Sequence, residues 1–102
     1  MSKDFNFSEI IPLVGNRFLD VTPNQQDKNI MLIAEDNNIH DSDAVAVYSK
    51  RDKNLIKLGY IIKDKNVYVR TIIDSIKSIK LIRSRDKNSF NEYYYYLGIN
   101  LM

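Results

Sequence analysis

Apolar residues in this chain arrive in short runs of strand length, each stopped by a cluster of Asp, Asn, Lys, Pro or Gly. Such runs are too brief for long amphipathic helices, so they commit most of the chain to β-structure. They are Ile10 to Val14, Asn29 to Ala34, Ala44 to Tyr48, Leu55 to Ile62, Ile79 to Arg83 and Tyr93 to Ile99. Pro12 cannot donate to a ladder. The first run therefore predicts a strand that starts on an edge or at a bulge there and continues past Gly15 through Arg17-Phe18-Leu19. Gly59 inside the fourth run predicts a bulge or a close backbone approach. Between the fourth and fifth runs the period changes: Val69, Ile72, Ile73 and Ile76 recur at helical spacing, with Asp64 or Asn66 available as an N-cap. The segments 20–28, 35–43, 49–54 and Arg85-Asp86-Lys87-Asn88 predict loops and turns. The sum is a mainly β (α+β) chain, a small barrel of six strands with one short helix after the fourth strand. With 102 residues, no repeat and no linker, it reads as one domain over 1–102 that closes on a hairpin over 79–100.

The absence of cysteine excludes disulfides and thiolate metal sites, and with His40 the only histidine a zinc site would rest almost entirely on carboxylates. Met1 to Phe7 contains Lys3 and Asp4 but no apolar run, and no stretch is long enough to span a bilayer, so a cytoplasmic protein with no membrane partner is expected. The net charge of +2 hides an asymmetry. Residues 1–49 hold three bases against eight acids, whereas residues 50–87 hold twelve bases against four acids. A basic half is what a phosphate-backbone footprint requires; it is also what Lys-rich turns guarding sheet edges produce.

Three segments, in order, resemble the HIRAN family, whose members occur fused to helicase-like chromatin and DNA-repair enzymes and as small bacterial domains. Val14-Gly15-Asn16-Arg17-Phe18 is similar to the family's opening strand. Leu32 to Val47, with Asn38-Ile39-His40-Asp41-Ser42-Asp43-Ala44-Val45-Ala46-Val47 at its centre, is similar to the family's most distinctive string. Leu58-Gly59-Tyr60-Ile61 looks like the strand that precedes the family's helix. Together they span about residues 10–75. Asp36 and Ile39 stand where the family often has proline, His40 where it often has tyrosine, and Asp43 where it usually has asparagine.

The resemblance implies an OB-like HIRAN barrel that is not an enzyme, needs no cofactor or metal, and captures the free 3′ end of single-stranded DNA. A helicase or nuclease would be its working partner, and the domain itself a monomer or weak dimer. Phe18 and His40 would be the flat side chains that hold the terminal base. Asp41 would accept a hydrogen bond from the 3′-hydroxyl and repel a continuing phosphate. Arg17 and Lys63 would bind phosphates, with Lys65 and Arg70 as further cations outside any motif. Asn38 would shape the loop and, second, touch a base edge. Plainer roles stay open: Phe18 as a core aromatic, His40 as an exposed residue without a task, Asp41 as a turn cap and Lys63 as a solvated lysine. Tyr93 to Tyr96 should alternate faces, two buried and two exposed, and the exposed pair suits a dimer or partner contact better than DNA. Two other functions remain on the residues alone. One is a protein-interaction barrel using the tyrosine strand or an open edge; the other is a small nuclease holding Mg²⁺ between Glu35, Asp36, His40, Asp41 and Asp43.

Overall fold

The computed structural model describes residues 6–19, 22–24, 27–85 and 93–102, with Arg17 and Phe18 described by backbone only. Six strands form one sheet: β1 (Glu9–Val14), β2 (Ile30–Ala34), β3 (Val45–Arg51), β4 (Asn54–Ile61), β5 (Ile76–Arg85) and β6 (Tyr93–Leu101). Their order across the sheet is β2-β3-β4-β1-β6-β5, and every neighbouring pair is antiparallel. The two outermost strands, β2 and β5, touch, so the sheet curls into a half-barrel. A seven-residue helix, α1 (Asn66–Ile72), follows β4, with 3-10 turns at Lys63–Lys65 and Ile73–Ser75 on either side. This is the mainly β architecture, with its helix after the fourth strand, that the apolar runs predict. Among the described residues no helix is long and apolar enough to cross a membrane.

Alternation along the strands builds the core. Ile11 and Leu13 of β1, Val45 and Val47 of β3, Leu81 of β5, and Tyr95, Leu97 and Ile99 of β6 all point to the concave side, where Val69 of α1 meets them. A fully buried Leu, Ile or Val contributes about 1.5–3 kcal/mol. In β4 the alternation breaks. Val47 pairs with Gly59 but the next residue, Tyr48, pairs with Lys57, so Leu58 is an extra residue bulged toward the core. The bulge puts Leu58 and Ile61 inside, three residues apart, and leaves Lys57 and Tyr60 together outside. Gly59 is also a close approach: a Cβ there would lie 2.5 Å from the Val14 carbonyl oxygen. Both consequences foreseen for this glycine therefore occur.

Several local expectations are corrected. The chain does not continue as a strand past Gly15. That residue takes φ of 79°, in the left-handed region, and turns β1 into a 3-10 turn over Asn16–Leu19, so Arg17, Phe18 and Leu19 are not strand residues. Pro12 is not on an outer edge, since β1 lies between β4 and β6. Its chemistry is respected in another way. β1 pairs with β6 over Glu9 to Leu13 but with β4 only from Leu13 onward, and the Pro12 carbonyl, pointing to the β4 side, accepts from Ile62 N–H beyond the last ladder pair. The missing N–H thus faces the side on which no strand yet runs.

The helix is shorter than its spacing suggests, because Ile76 opens β5 rather than closing the helical face. Neither Asp64 nor Asn66 caps it: the N-cap is Lys65, without a side-chain cap bond. The turn predicted over 49–54 shrinks to Asp52-Lys53, since ladder pairs continue to Arg51 and Asn54. The turn predicted at Arg85-Asp86-Lys87-Asn88 lies, after Arg85, outside the described residues. The tyrosines do alternate: Tyr95 is in the core with Tyr93 packed beside it, while Tyr94 is exposed and Tyr96 half-buried on the outer face.

Candidate functional site

The loop from Glu35 to Ala44 joins β2 to β3, and its own short polar side chains shape it. Glu35 N–H donates to the Ala44 carbonyl and closes the base at 2.9 Å. The Asn38 side-chain oxygen accepts from the backbone N–H of His40 and of Asp41, at 2.8 and 3.1 Å. One step on, Asp41 Oδ1 accepts from Asp43 N–H at 2.9 Å. These are Asx turns, which satisfy backbone donors that no ladder reaches. Asn38 thus has the loop-shaping role expected of it, and Asp41 the turn-capping one.

The same loop is fastened to α1. Asn66, buried at 4% exposure, donates from Nδ2 to Asp41 Oδ2 at 2.6 Å. Arg70, one turn along the helix, donates to the carbonyls of Ser42, Asp43 and Ala44 and to Asp36 Oδ1. A planar guanidinium can serve four acceptors at once because its donors form a fixed fork. Arg70 is therefore occupied in holding the loop, not free for phosphate. Neither residue belongs to a motif. A polar residue on the buried face of a helix is the one sequence signal that marks Asn66.

On the outer side, Glu35 is held by three donors. Lys57 Nζ reaches Oε2 at 2.7 Å, and Tyr60 Oη and Asn38 Nδ2 reach Oε1 at 2.9 and 3.1 Å. Burial pushes the Glu35 carboxyl up, but the hydrogen bonds from Lys57, Asn38 and Tyr60 outweigh it and hold the group below its ordinary value. The hydrogen bond to Glu35 raises Lys57 against the opposing effect of burial, so this lysine stays charged. Its ammonium also lies 5.0 Å from the Tyr60 ring centroid.

Between the loop and the end of β4 lies a cavity of about 260 Å³, lined by Val14, Asn38, His40, Asp41, Ala44, Tyr60, Ile61 and Lys63. Four residues singled out from the sequence thus converge there: Asn38, His40 and Asp41 from the loop, and Lys63 from the 3-10 turn that follows β4. His40 and Lys63 are exposed, and among the described residues Lys63 has no ion-pair partner. Arg17 and Phe18 lie on the turn that leaves Val14, within three or four residues of the cavity wall, but their side chains lie outside the described residues. Lys65 is exposed and does not line the cavity.

The fold also reinterprets the charge asymmetry. Arg51 pairs with Asp27, Lys57 with Glu35, and Arg70 with Asp36, so three bases of the second half neutralise acids of the first. The acidic loop residues accordingly face different partners, Glu35 toward Lys57, Asp36 toward Arg70 and Asp41 toward Asn66. Among the described residues no three His, Cys, Asp or Glu converge as a metal site. Comparison of the chain with family models, with curated proteins and with solved structures finds no match.

Proposed function

We propose that this cavity receives the terminal nucleotide at the free 3′ end of single-stranded DNA and holds it without chemical change. The observation that carries the reading is the convergence of Asn38, His40, Asp41 and Lys63, from two separate segments, on one concave site. Whole-ligand pockets run from about 300 Å³ upward, so a cavity of about 260 Å³ suits one base and its sugar rather than a longer stretch. His40 stacks on the base, and Lys63 meets the phosphate behind it. Each Asp41 oxygen already accepts one internal donor. A carboxylate oxygen has two lone pairs, so a 3′-hydroxyl can still be accepted, whereas a phosphate at that place meets a like charge. The Asx turns and the Asn66 bond fix the carboxylate before any ligand arrives.

The test is fluorescence anisotropy with one short oligonucleotide bearing either a 3′-hydroxyl or a 3′-phosphate. A charge-assisted hydrogen bond is worth about 1.5–3 kcal/mol, so the free end should bind on the order of tenfold more tightly or better. Asp41→Asn should narrow that gap, mainly by improving the blocked strand. Equal affinity of the parent protein for both ends would overturn the reading.

A further inference from the structure

We infer that Glu35 is the positioning residue of this site: its carboxylate ties the two walls of the cavity to each other and so fixes the space offered to the terminal nucleotide, an inference that rests on the end-capture reading above. The walls come from separate segments, Asn38, His40 and Asp41 from the loop and Tyr60 and Ile61 from the end of β4. Glu35 is not one of the lining residues. It stands behind them, and its Oε1 accepts from Tyr60 Oη of one wall at 2.9 Å and from Asn38 Nδ2 of the other at 3.1 Å. The backbone holds Glu35 itself in place, since its N–H donates to the Ala44 carbonyl and its carbonyl accepts from Asn38 N–H.

From there the hold runs on in two directions. On the loop side, a carboxylate can only accept, so it makes the Asn38 amide present its NH2 and aim Oδ1 at the backbone N–H groups of His40 and Asp41. Those are the two residues assigned to the base and the 3′-hydroxyl. On the strand side, Tyr60 Oη donates to Glu35 and accepts from Lys57 Nζ at 3.0 Å, while Lys57 also donates to Glu35 Oε2. The three side chains close a triangle that holds the tyrosine ring from its far end. This triangle depends on the Leu58 bulge: in an unbroken strand Lys57 and Tyr60, three residues apart, would face opposite sides. Lys57 also cancels the charge of Glu35, which lets an acid stand close to a site for an anionic strand. Stability explains little of the arrangement. The Lys57 and Glu35 side chains are 27% and 21% exposed, and ion pairs in partial contact with water contribute little to folding. Preorganisation explains it better, because groups fixed before the ligand arrives lose no freedom when it binds.

The experiment measures the ratio of affinities for one short oligonucleotide with a free and with a phosphorylated 3′ end, together with the ligand-free amide exchange of His40 and Asp41 read by NMR. The ratio is used because removing an acid strengthens binding of any anionic strand, and that gain cancels between the two ends. In Glu35→Ala the ratio should fall from about tenfold to about threefold or less, and both amides should exchange several-fold faster, while melting shifts only slightly. Tyr60→Phe, which keeps the ring and cuts its tether, should weaken binding of the free end and leave the two amides unchanged. Glu35→Gln combined with Lys57→Met preserves an oxygen for Tyr60 and Asn38 without either charge, and should restore most of the ratio and the slow exchange. A ratio that survives Glu35→Ala would overturn the positioning role while leaving end capture intact. So would a ratio lost without faster exchange, which would mean that Glu35 acts on the ligand by its charge. If Glu35→Ala fails to fold, Tyr60→Phe carries the test, and unchanged free-end affinity there overturns the proposal. Equal affinity of the parent for both ends would instead overturn end capture, and the positioning role with it.

Discussion

Replacing the buried donor on α1 by an acceptor, Asn66→Asp, should make this protein's stability depend on pH in a way the parent's does not. Asn66 Nδ2 lies 2.6 Å from Asp41 Oδ2, and Asn66 is 4% exposed, so the substitution sets two carboxylates in contact with little water to separate them. The lost hydrogen bond to a charged group costs about 1.5–3 kcal/mol. Repulsion adds up to about 4 kcal/mol at an effective dielectric constant near 20, until it becomes easier for the pair to bind one proton and share it. The loss at pH 7.5 should be about 3–5 kcal/mol; with a urea m-value of about 1.5 kcal/mol/M, the midpoint falls by about 2–3 M. Proton uptake turns the introduced carboxyl back into a donor. Its native pKa is then raised above the unfolded value of about 3.9, so the recovered stability is complete below that value and disappears as pH rises through the native one. Urea unfolding of parent and variant at pH 4 and pH 7.5 measures this directly. The deficit should shrink to about 1 kcal/mol at pH 4, whereas Asn66→Ala should show about 1–3 kcal/mol at both values. An equal deficit for Asn66→Asp at the two pH values would refute the assigned contact.

Gly59→Ala should destabilise the protein by about 2–4 kcal/mol and disturb the cavity, because its Cβ would lie 2.5 Å from a backbone oxygen that cannot rotate away; an unchanged melting temperature would count against the close approach. Asp27 is held below its ordinary value first by the hydrogen bond from Arg51, so its contribution is present above the unfolded pKa of about 3.9 and is lost as pH falls through the lowered native one. Arg51→Ala should therefore narrow its stability gap to the parent on acidification from pH 7 to pH 3, and parallel pH curves would contradict the pairing. His40→Ala should weaken DNA binding with no change in melting, since the residue is exposed, and equal affinity would remove it from the site. Lys63→Ala should reduce the salt slope of binding by about 0.7, as one phosphate contact is lost; an unchanged slope would show that Lys63 meets no phosphate.

The strands and the helix were legible in the sequence because alternation and helical spacing are local properties. Position 59 was legible for the same reason: a glycine inside a strand has few explanations, and the fold uses two of them. Misreadings cluster where one residue resets the direction of the chain. Gly15 ends β1 against an apolar Phe18-Leu19 that continues the strand pattern, and Ile76 fits the helical period but is captured by Leu101 across the sheet. The half of the site within the 35–44 loop was readable from its Asx residues. The other half was not: Asn66 meets Asp41 and Lys57 meets Glu35 across more than twenty residues, and such pairs are set by tertiary packing that no local pattern announces. The charge asymmetry misled in part for that reason, since several of its bases serve the protein's own acids.

The place of β1 in the middle of the sheet has a kinetic consequence. The β2-β3-β4 meander can form from neighbouring segments, but β1 pairs Glu9 with Ile99, at nearly the full length of the chain. Loop-closure entropy must be overcome before that pairing returns any contact energy, so folding should fall in the slow, high-contact-order regime of milliseconds to seconds. During refolding, pulse-labelled amides of the β2-β3-β4 meander and of the β5-β6 hairpin should gain protection before those of β1. The Val14 wall of the cavity, and with it the whole candidate site, is then completed in the last step of assembly.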